Sequence, residues 1–374
     1  MAVVTTGFFD GVHLGHRHLL ETVVSSARER GEEAVVVTFW PHPRTVLQQD
    51  ARELRLLSSL EEKKALLLAA GVDRVEVLSF TREFAAMTAR EYLDMLRDRY
   101  GASLVVMGYD NRIGSDRRTF SDLLAEGYSS ENASASLRPL PQPSAAGPSL
   151  LCCRGWHNFQ GTTLHQQTDP SFCPTESPNS SLCPTESPDS SLCPIESPAA
   201  SLCPIESPAA SYCHTERAKR VERISSTQIR NALMEGDVET ANAMLGYGYG
   251  LHGVVVAGNQ LGRTIGFPTA NMKLYEPLKL VPAGGVYAVD VQVLGRCCQG
   301  MCNIGVRPTV GAANGLTIET NIFDFNEDIY GLDITITFRR RIREERKFAS
   351  MEELKAQLIQ DEQRCKNASF APRG

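Results

Sequence analysis

The sequence predicts an α/β layer built on a parallel sheet, followed by a small antiparallel β-barrel that ends in a helix. Three observations lead there. Over residues 2–108 short β-branched runs alternate with amphipathic segments, whereas from about 246 onward strand-like runs follow one another across Gly-rich turns. Between the two regions lies a Ser/Pro/Cys-rich stretch with a ten-residue repeat, from which no core can be built.

Residues 2–6 and 34–39 are β-branched strands, and the amphipathic segment at about 14–30 between them completes a βαβ unit. Helical text near 60–70, a strand at 75–78, a helix near 88–100 and a strand at 103–108 continue the alternation, for which a parallel sheet flanked by helices is the natural solution. A short helix is expected at 119–126. The stretch from about 128 to 216 contains SFCPTESPNS, SLCPTESPDS and two copies of SLCPIESPAA. Two prolines per repeat exclude helix and central strand, and the apolar content is too thin to offset ordering entropy, so this stretch reads as disordered, with no apolar strand before 217. Helices resume at 226–235 and 237–245. The runs GVVVAG, GVYAVDVQVLG, RCCQGMCNIG, TIETNIFDF and LDITITF then give the barrel, and 350–364 gives its helix. The expected domains are 1–245, interrupted by the low-complexity stretch, and 246–365, with a tail at 366–374.

At 374 residues the chain has room for two cores, and its net charge of -6 gives no general attraction to nucleic acid or anionic lipid. No apolar stretch reaches membrane-spanning length and the start lacks a signal-peptide pattern, so a cytoplasmic protein is expected. Seven of the eleven cysteines fall within the low-complexity stretch, which argues against a disulfide framework, and the ten-residue spacing of Cys173, Cys183, Cys193, Cys203 and Cys213 does not suit a zinc site. Among Cys297, Cys298 and Cys302, core packing is expected for at least one.

The first strand runs into GFFDGVHLGH at 7–16. A glycine-rich turn between a parallel strand and a helix presents free backbone N–H groups and the positive end of the helix dipole, which suits a phosphate. His13 and His16 at the helix entrance can donate hydrogen bonds to phosphate oxygens as charge builds during displacement at phosphorus. The alternative is a plain turn with two surface histidines. Further on, ISSTQIR at 224–230 is by itself a helix N-cap followed by an arginine, and GRTIGFPTAN at 262–271 is by itself a Gly/Pro turn before an edge strand. Arg339–Arg341 and Arg343 form a basic run of the kind that is usually a solvated face.

Taken together these segments resemble the bacterial bifunctional riboflavin kinase/FMN adenylyltransferase family, over roughly 1–127 and 217–365. The resemblance implies a nucleotidylyltransferase-type, Rossmann-like N-terminal fold in which His13 and His16 are catalytic. Gly7, Phe9, Asp10, Gly11, Gly15, Asp110, Ser226, Thr227 and Arg230 would bind nucleotide there. In the barrel it implies that Gly262, Gly266, Thr269 and Asn271 bind ATP, that Thr269 and Asn271 organise Mg²⁺, and that Glu319 is the catalytic carboxylate. The expected reactions are phosphorylation of riboflavin to FMN and adenylylation of FMN to FAD, with ATP as co-substrate of both. Expected partners are these small molecules, with transfer of flavin to apo-flavoproteins and no nucleic acid or membrane. GYDNRIG at 108–114 departs from the family at Asn111 and Ile113, where aromatic residues are common, and the barrel departs at Asn321 and Asn326, where His and Asp are usual. Two other readings stay open: a kinase whose adenylyltransferase half is impaired by the 128–216 stretch, and a non-catalytic flavin- or nucleotide-binding protein.

Overall fold

The computed structural model describes residues 1–47, 54–108, 111–125, 136–139, 224–258, 262, 265–307 and 315–367. The N-terminal region has the element order β1 (Ala2–Thr6), α1 (Leu14–Arg30), β2 (Glu33–Trp40), α2 (Pro43–Leu47), α3 (Leu60–Ala69), β3 (Arg74–Ser79), α4 (Arg82–Ala86), α5 (Ala89–Tyr100), β4 (Ala102–Met107), α6 (Phe120–Ala125) and β5 (Ser136–Pro139). All neighbouring strands pair in parallel, in the order β3-β2-β1-β4-β5. β1 is buried along its whole length, so its alternate residues feed two cores. Val3 packs with Leu20, Val23 and Val36 on one face, while Val4 packs with Val35, Leu93 and Leu96 on the other. Burial on both faces explains why these strands read as continuous apolar runs rather than alternating ones.

β5 corrects the expectation that no strand precedes 217. Residues 136–139 lie inside the stretch read as disordered, yet they pair with Leu104–Met107. SLRP carries a single apolar aliphatic residue and a proline, so composition hides it, and an edge position tolerates the missing N–H of Pro139. The remainder of the repeat-bearing stretch lies outside the described residues.

The chain resumes with α7 (Ser226–Glu235) and α8 (Val238–Leu245), then β6 (Gly250–Val256), β7 (Ala270–Leu274), β8 (Gly285–Val293), β9 (Arg296–Arg307), β10 (Gly315–Ile322), β11 (Asp333–Arg343) and α9 (Met351–Asn367). The six strands close into an antiparallel barrel, order β10-β7-β6-β11-β8-β9. Its interior holds Leu251, Val255, Met272, Val289, Cys302, Ile304, Ile318 and Ile336, and the same cluster takes in Ile229 and Leu233 of α7 and Leu245 of α8. The two helices before 246 therefore share a core with the barrel. Cys302 is a packing residue as expected, and its burial pushes the thiol up to about 12.

Three of the four arginines in the basic run are held by neighbouring elements, while Arg340 is exposed. Arg339 pairs with Asp290, Arg341 donates to the carbonyl of Gly284 at 2.6 Å, and Arg343 donates to the fully buried Asp361 of α9 at 2.7 Å. These contacts tie β11 to its neighbours and dock the terminal helix.

Candidate active sites

The segment 7–16 leaves β1 through a 3-10 turn at Asp10–Val12 in which Phe9, Gly11 and Val12 all have positive φ, at 52°, 76° and 37°. Phe9 and Val12 are not glycines, so the turn is held in a conformation that costs energy and that surrounding contacts must enforce. His13 then stands at the N-cap of α1, a position usually taken by Ser, Asp or Asn. Its Nδ1 accepts the backbone N–H of His16 at 3.4 Å, which leaves the proton of the neutral imidazole on Nε2. The two imidazoles stack with centroids 3.7 Å apart, and Phe9 meets His16 edge-on. A Cβ at Gly15 would come within 3.2 Å of the His13 ring, so glycine there preserves the ring's position. Gly7 lies at the strand end, where its N–H donates to Val37.

The contacts that enforce the turn come from distant parts of the chain. Asp10, only 4% exposed, accepts the N–H groups of Leu57 and Ser58 and the Ser58 hydroxyl, and pairs with Arg230 at 2.5 Å. Its carboxylate is engaged by these protein groups and holds the turn in place. Arg230 also donates from Nε to the carbonyl of Arg55. The Ser226 hydroxyl donates to the Asp10 carbonyl at 3.1 Å, and the Tyr247 hydroxyl donates to that of Gly11 at 2.7 Å. Ser225, not Ser226, is the N-cap of α7, in a capping box with Gln228; Thr227 is exposed. The N-termini of α1 and α7 thus converge on one turn, doubling the dipole argument for an anion.

Four titratable groups shape this site, and two of them, Lys63 and His42, were not singled out from the sequence. His13 is 5% exposed, which corrects the surface-histidine alternative; burial, opposed by Asp10 and reinforced by Arg230, lowers its pKa to about 4. Burial also takes His16 well below its usual value, with His13 and Lys63 adding to the effect. Lys63 of α3 has no exposed surface, donates to the Phe8 carbonyl at 3.0 Å and stands 3.7 Å over the Phe8 ring; burial lowers it to about 8. His42, beside Phe8, accepts the Arg44 N–H on Nδ1 and is lowered to about 4, mainly by burial. At neutral pH the site therefore holds neutral imidazoles and two cations against one carboxylate that is already paired. Nothing in EEKKALLL separates Lys63 from a solvated lysine, which is why the sequence misses it. Asn111 donates to the Thr6 carbonyl at the end of β1, while Asp110 lies outside the described residues.

The barrel site has a different origin. Met272, Ile318 and Cys302 face the interior, so by the two-residue period Asn271, Glu319 and Asn303 face outward. Glu319 is registered opposite Asn271 on β7 and opposite Asn303 on β9, which makes a polar row across three strands. Thr269 precedes Asn271 by two residues, just before β7 begins. Gly258 permits this row, because a Cβ there would lie 2.1 Å from Asn271 Nδ2. Gly262 accepts the N–H of Phe267 across the turn before β7, and Gly266 has φ 88°, open to glycine at no steric cost. Asn321, where the family usually has His, donates to the Pro268 carbonyl at 2.7 Å and so braces the PTAN turn. Asn303 was quoted in the sequence but given no role; only the register reveals it.

An α/β sheet with helix N-termini aimed at a strained turn, joined to a barrel with an outward row of oxygen-bearing side chains, defines an enzyme of the nucleotide-transfer class with two sites. A family model described as FAD synthetase matches residues 1–140, and one described as riboflavin kinase matches residues 245–369. The bifunctional riboflavin kinase/FMN adenylyltransferases of Bacillus subtilis (strain 168) and Escherichia coli (strain K12) are 31% and 32% identical, over 97% and 96% of this chain and 90% of each relative. The chain belongs to the bifunctional riboflavin kinase/FMN adenylyltransferase family. A crystal structure described as a macrolide-efflux protein from Streptococcus pneumoniae superposes with a TM-score of 0.70 at 28% identity, covering 98% of this chain and 95% of that one. Among the described residues no helix is long and apolar enough to cross a membrane.

Proposed function

We propose that this chain makes FAD from riboflavin in two steps at separate sites. The observation that carries the reading is the coincidence of each matched region with its own polar cluster: the turn at 7–16 within the FAD synthetase match, and the Asn271–Glu319–Asn303 row within the riboflavin kinase match.

In the barrel, Glu319 accepts the proton of the riboflavin 5′-hydroxyl as that oxygen attacks the γ-phosphorus of ATP; ADP leaves and FMN forms. The Thr269 hydroxyl and the Asn271 amide oxygen are hard oxygen donors, of the kind that Mg²⁺ takes while keeping several waters. Bound there, the ion would neutralise charge on the transferred phosphoryl group. In the sheet region an FMN phosphate oxygen attacks the α-phosphorus of a second ATP, and pyrophosphate leaves. His13 and His16 donate to the phosphate oxygens from neutral rings, while Arg230 and Lys63 offset the accumulating negative charge. The helix termini contribute without reorganisation because they are already in place. The product would be made in the cytoplasm and passed to apo-flavoproteins.

The test is incubation with riboflavin, excess ATP and Mg²⁺, with flavins separated chromatographically over time. FMN rising and then giving way to FAD is the expected result. FMN that only accumulates would establish a kinase alone.

A further inference from the structure

The residues that hold Asp10 are themselves held by the barrel. Leu56 bridges to Lys279 in parallel register, with the Leu56 N–H donating to Leu278 O and the Leu280 N–H donating to Leu56 O, both at 2.8 Å. Lys279 lies in the connection between β7 and β8, is 6% exposed, and turns its ammonium back toward the sheet. Its Nζ donates to Leu57 O at 2.8 Å and to Glu62 Oε2 at 2.5 Å. Glu62 Oε2 also accepts the Ser59 N–H at 2.8 Å, as one half of the capping box that starts α3. The Tyr249 ring lies 4.9 Å from the ammonium, and its hydroxyl fixes the Leu280 carbonyl at 2.7 Å.

One detail makes this more than a domain contact. The Leu57 carbonyl and the Ser58 N–H belong to a single planar peptide unit. Lys279 holds the oxygen edge of that plane while Asp10 holds the hydrogen edge at 3.1 Å, so the cation polarises the donor on which Asp10 depends.

We propose that Lys279 is a positioning residue for adenylyl transfer, acting through the 57–58 peptide and Asp10 on Arg230. The kinase barrel then supplies part of the support for the other nucleotide site. This rests on the reading of the 7–16 turn as the adenylyl-transfer site.

The experiment uses the full chain with Lys279→Met, measuring FAD formation from supplied FMN across ATP concentrations and riboflavin phosphorylation in the same preparation. The KM for ATP in adenylyl transfer should rise about tenfold while phosphorylation stays within about twofold, since misplaced support weakens orientation at one site only. A second variant, Lys279→Met with Glu62→Gln, removes the stranded charge but keeps the capping acceptor. It should regain the melting temperature lost by Lys279→Met yet keep the raised KM, because Leu57 O still lacks its donor. An unchanged KM, a KM that recovers together with melting temperature, or parallel loss of both activities would each overturn the proposal. His16→Ala is assayed alongside: FAD formation at the parent rate in that variant would overturn the placement of the site, a failure separable from that of Lys279.

Discussion

The two candidate sites are built by opposite constructions. The barrel site is a matter of register: Asn271, Glu319 and Asn303 meet because three neighbouring antiparallel strands pair in one alignment. The sheet site is a matter of assembly: Asp10, Ser58, Lys63, Arg230 and Tyr247 meet although they are spread over more than 200 positions of chain. A registered site inherits its precision from a backbone ladder that forms anyway. An assembled site needs buried charges and hydrogen bonds of its own, and each of these is a point at which it can be loosened.

The largest effects should separate the two. Glu319→Ala should lower FMN formation by about a thousandfold, the range of a lost general base, while FAD formation from supplied FMN continues. His16→Ala should do the reverse, lowering FAD formation by about a hundredfold or more through loss of a prepositioned donor. Chromatographic assay of both steps checks the pair, and equal loss of both activities from either change would break the two-site assignment.

Stability should distinguish them next. Asp10→Asn removes one partner of a buried ion pair and should destabilise the protein by about 3 kcal/mol, read as a lower urea midpoint. Asn303 is a neutral side chain on the barrel's outward row, so Asn303→Ser should shift the midpoint far less. Gly258→Ala should instead act on function: the added methyl displaces the Asn271 amide and should raise the kinase KM for ATP about tenfold, with adenylyl transfer unchanged.

A further effect is expected in the pH dependence. His13 and His42 have folded pKa values of about 4 against an ordinary 6.5. Between those values the unfolded chain binds more protons than the folded one, so stability falls as pH is lowered from 6.5 toward 4. Urea midpoints at pH 7 and pH 5 should show the loss, and His13→Asn should reduce the difference between them.

Much of this was legible from residues alone. The turn at 7–16 and the PTAN segment announce themselves because glycines, histidines and a proline interrupt strand text at fixed offsets, and the positions of α1, α3, α5, α7 and α8 follow from apolar spacing and caps such as Ser59, Thr88 and Asp237. Lys63 was not legible, because a buried lysine and a solvated one have the same letter and the same helical neighbours. β5 was missed for a related reason, because SLRP has weak strand character and becomes a strand only by pairing with β4, while the strand after the PTAN turn, read as an edge, pairs on both sides with β6 and β10.

The sequence by itself determined the two fold classes, the order of their elements, the family and the residue types available for each reaction, since these depend on local periodicity and on short motifs. Tertiary structure alone decided that Asp10 is buried against Arg230, that His13 is buried and neutral, that Arg339, Arg341 and Arg343 tie β11 to its neighbours, and that Lys279 reaches the sheet region. Burial and long-range pairing set the charge state and the partner of a side chain, and neither is encoded by the residues next to it.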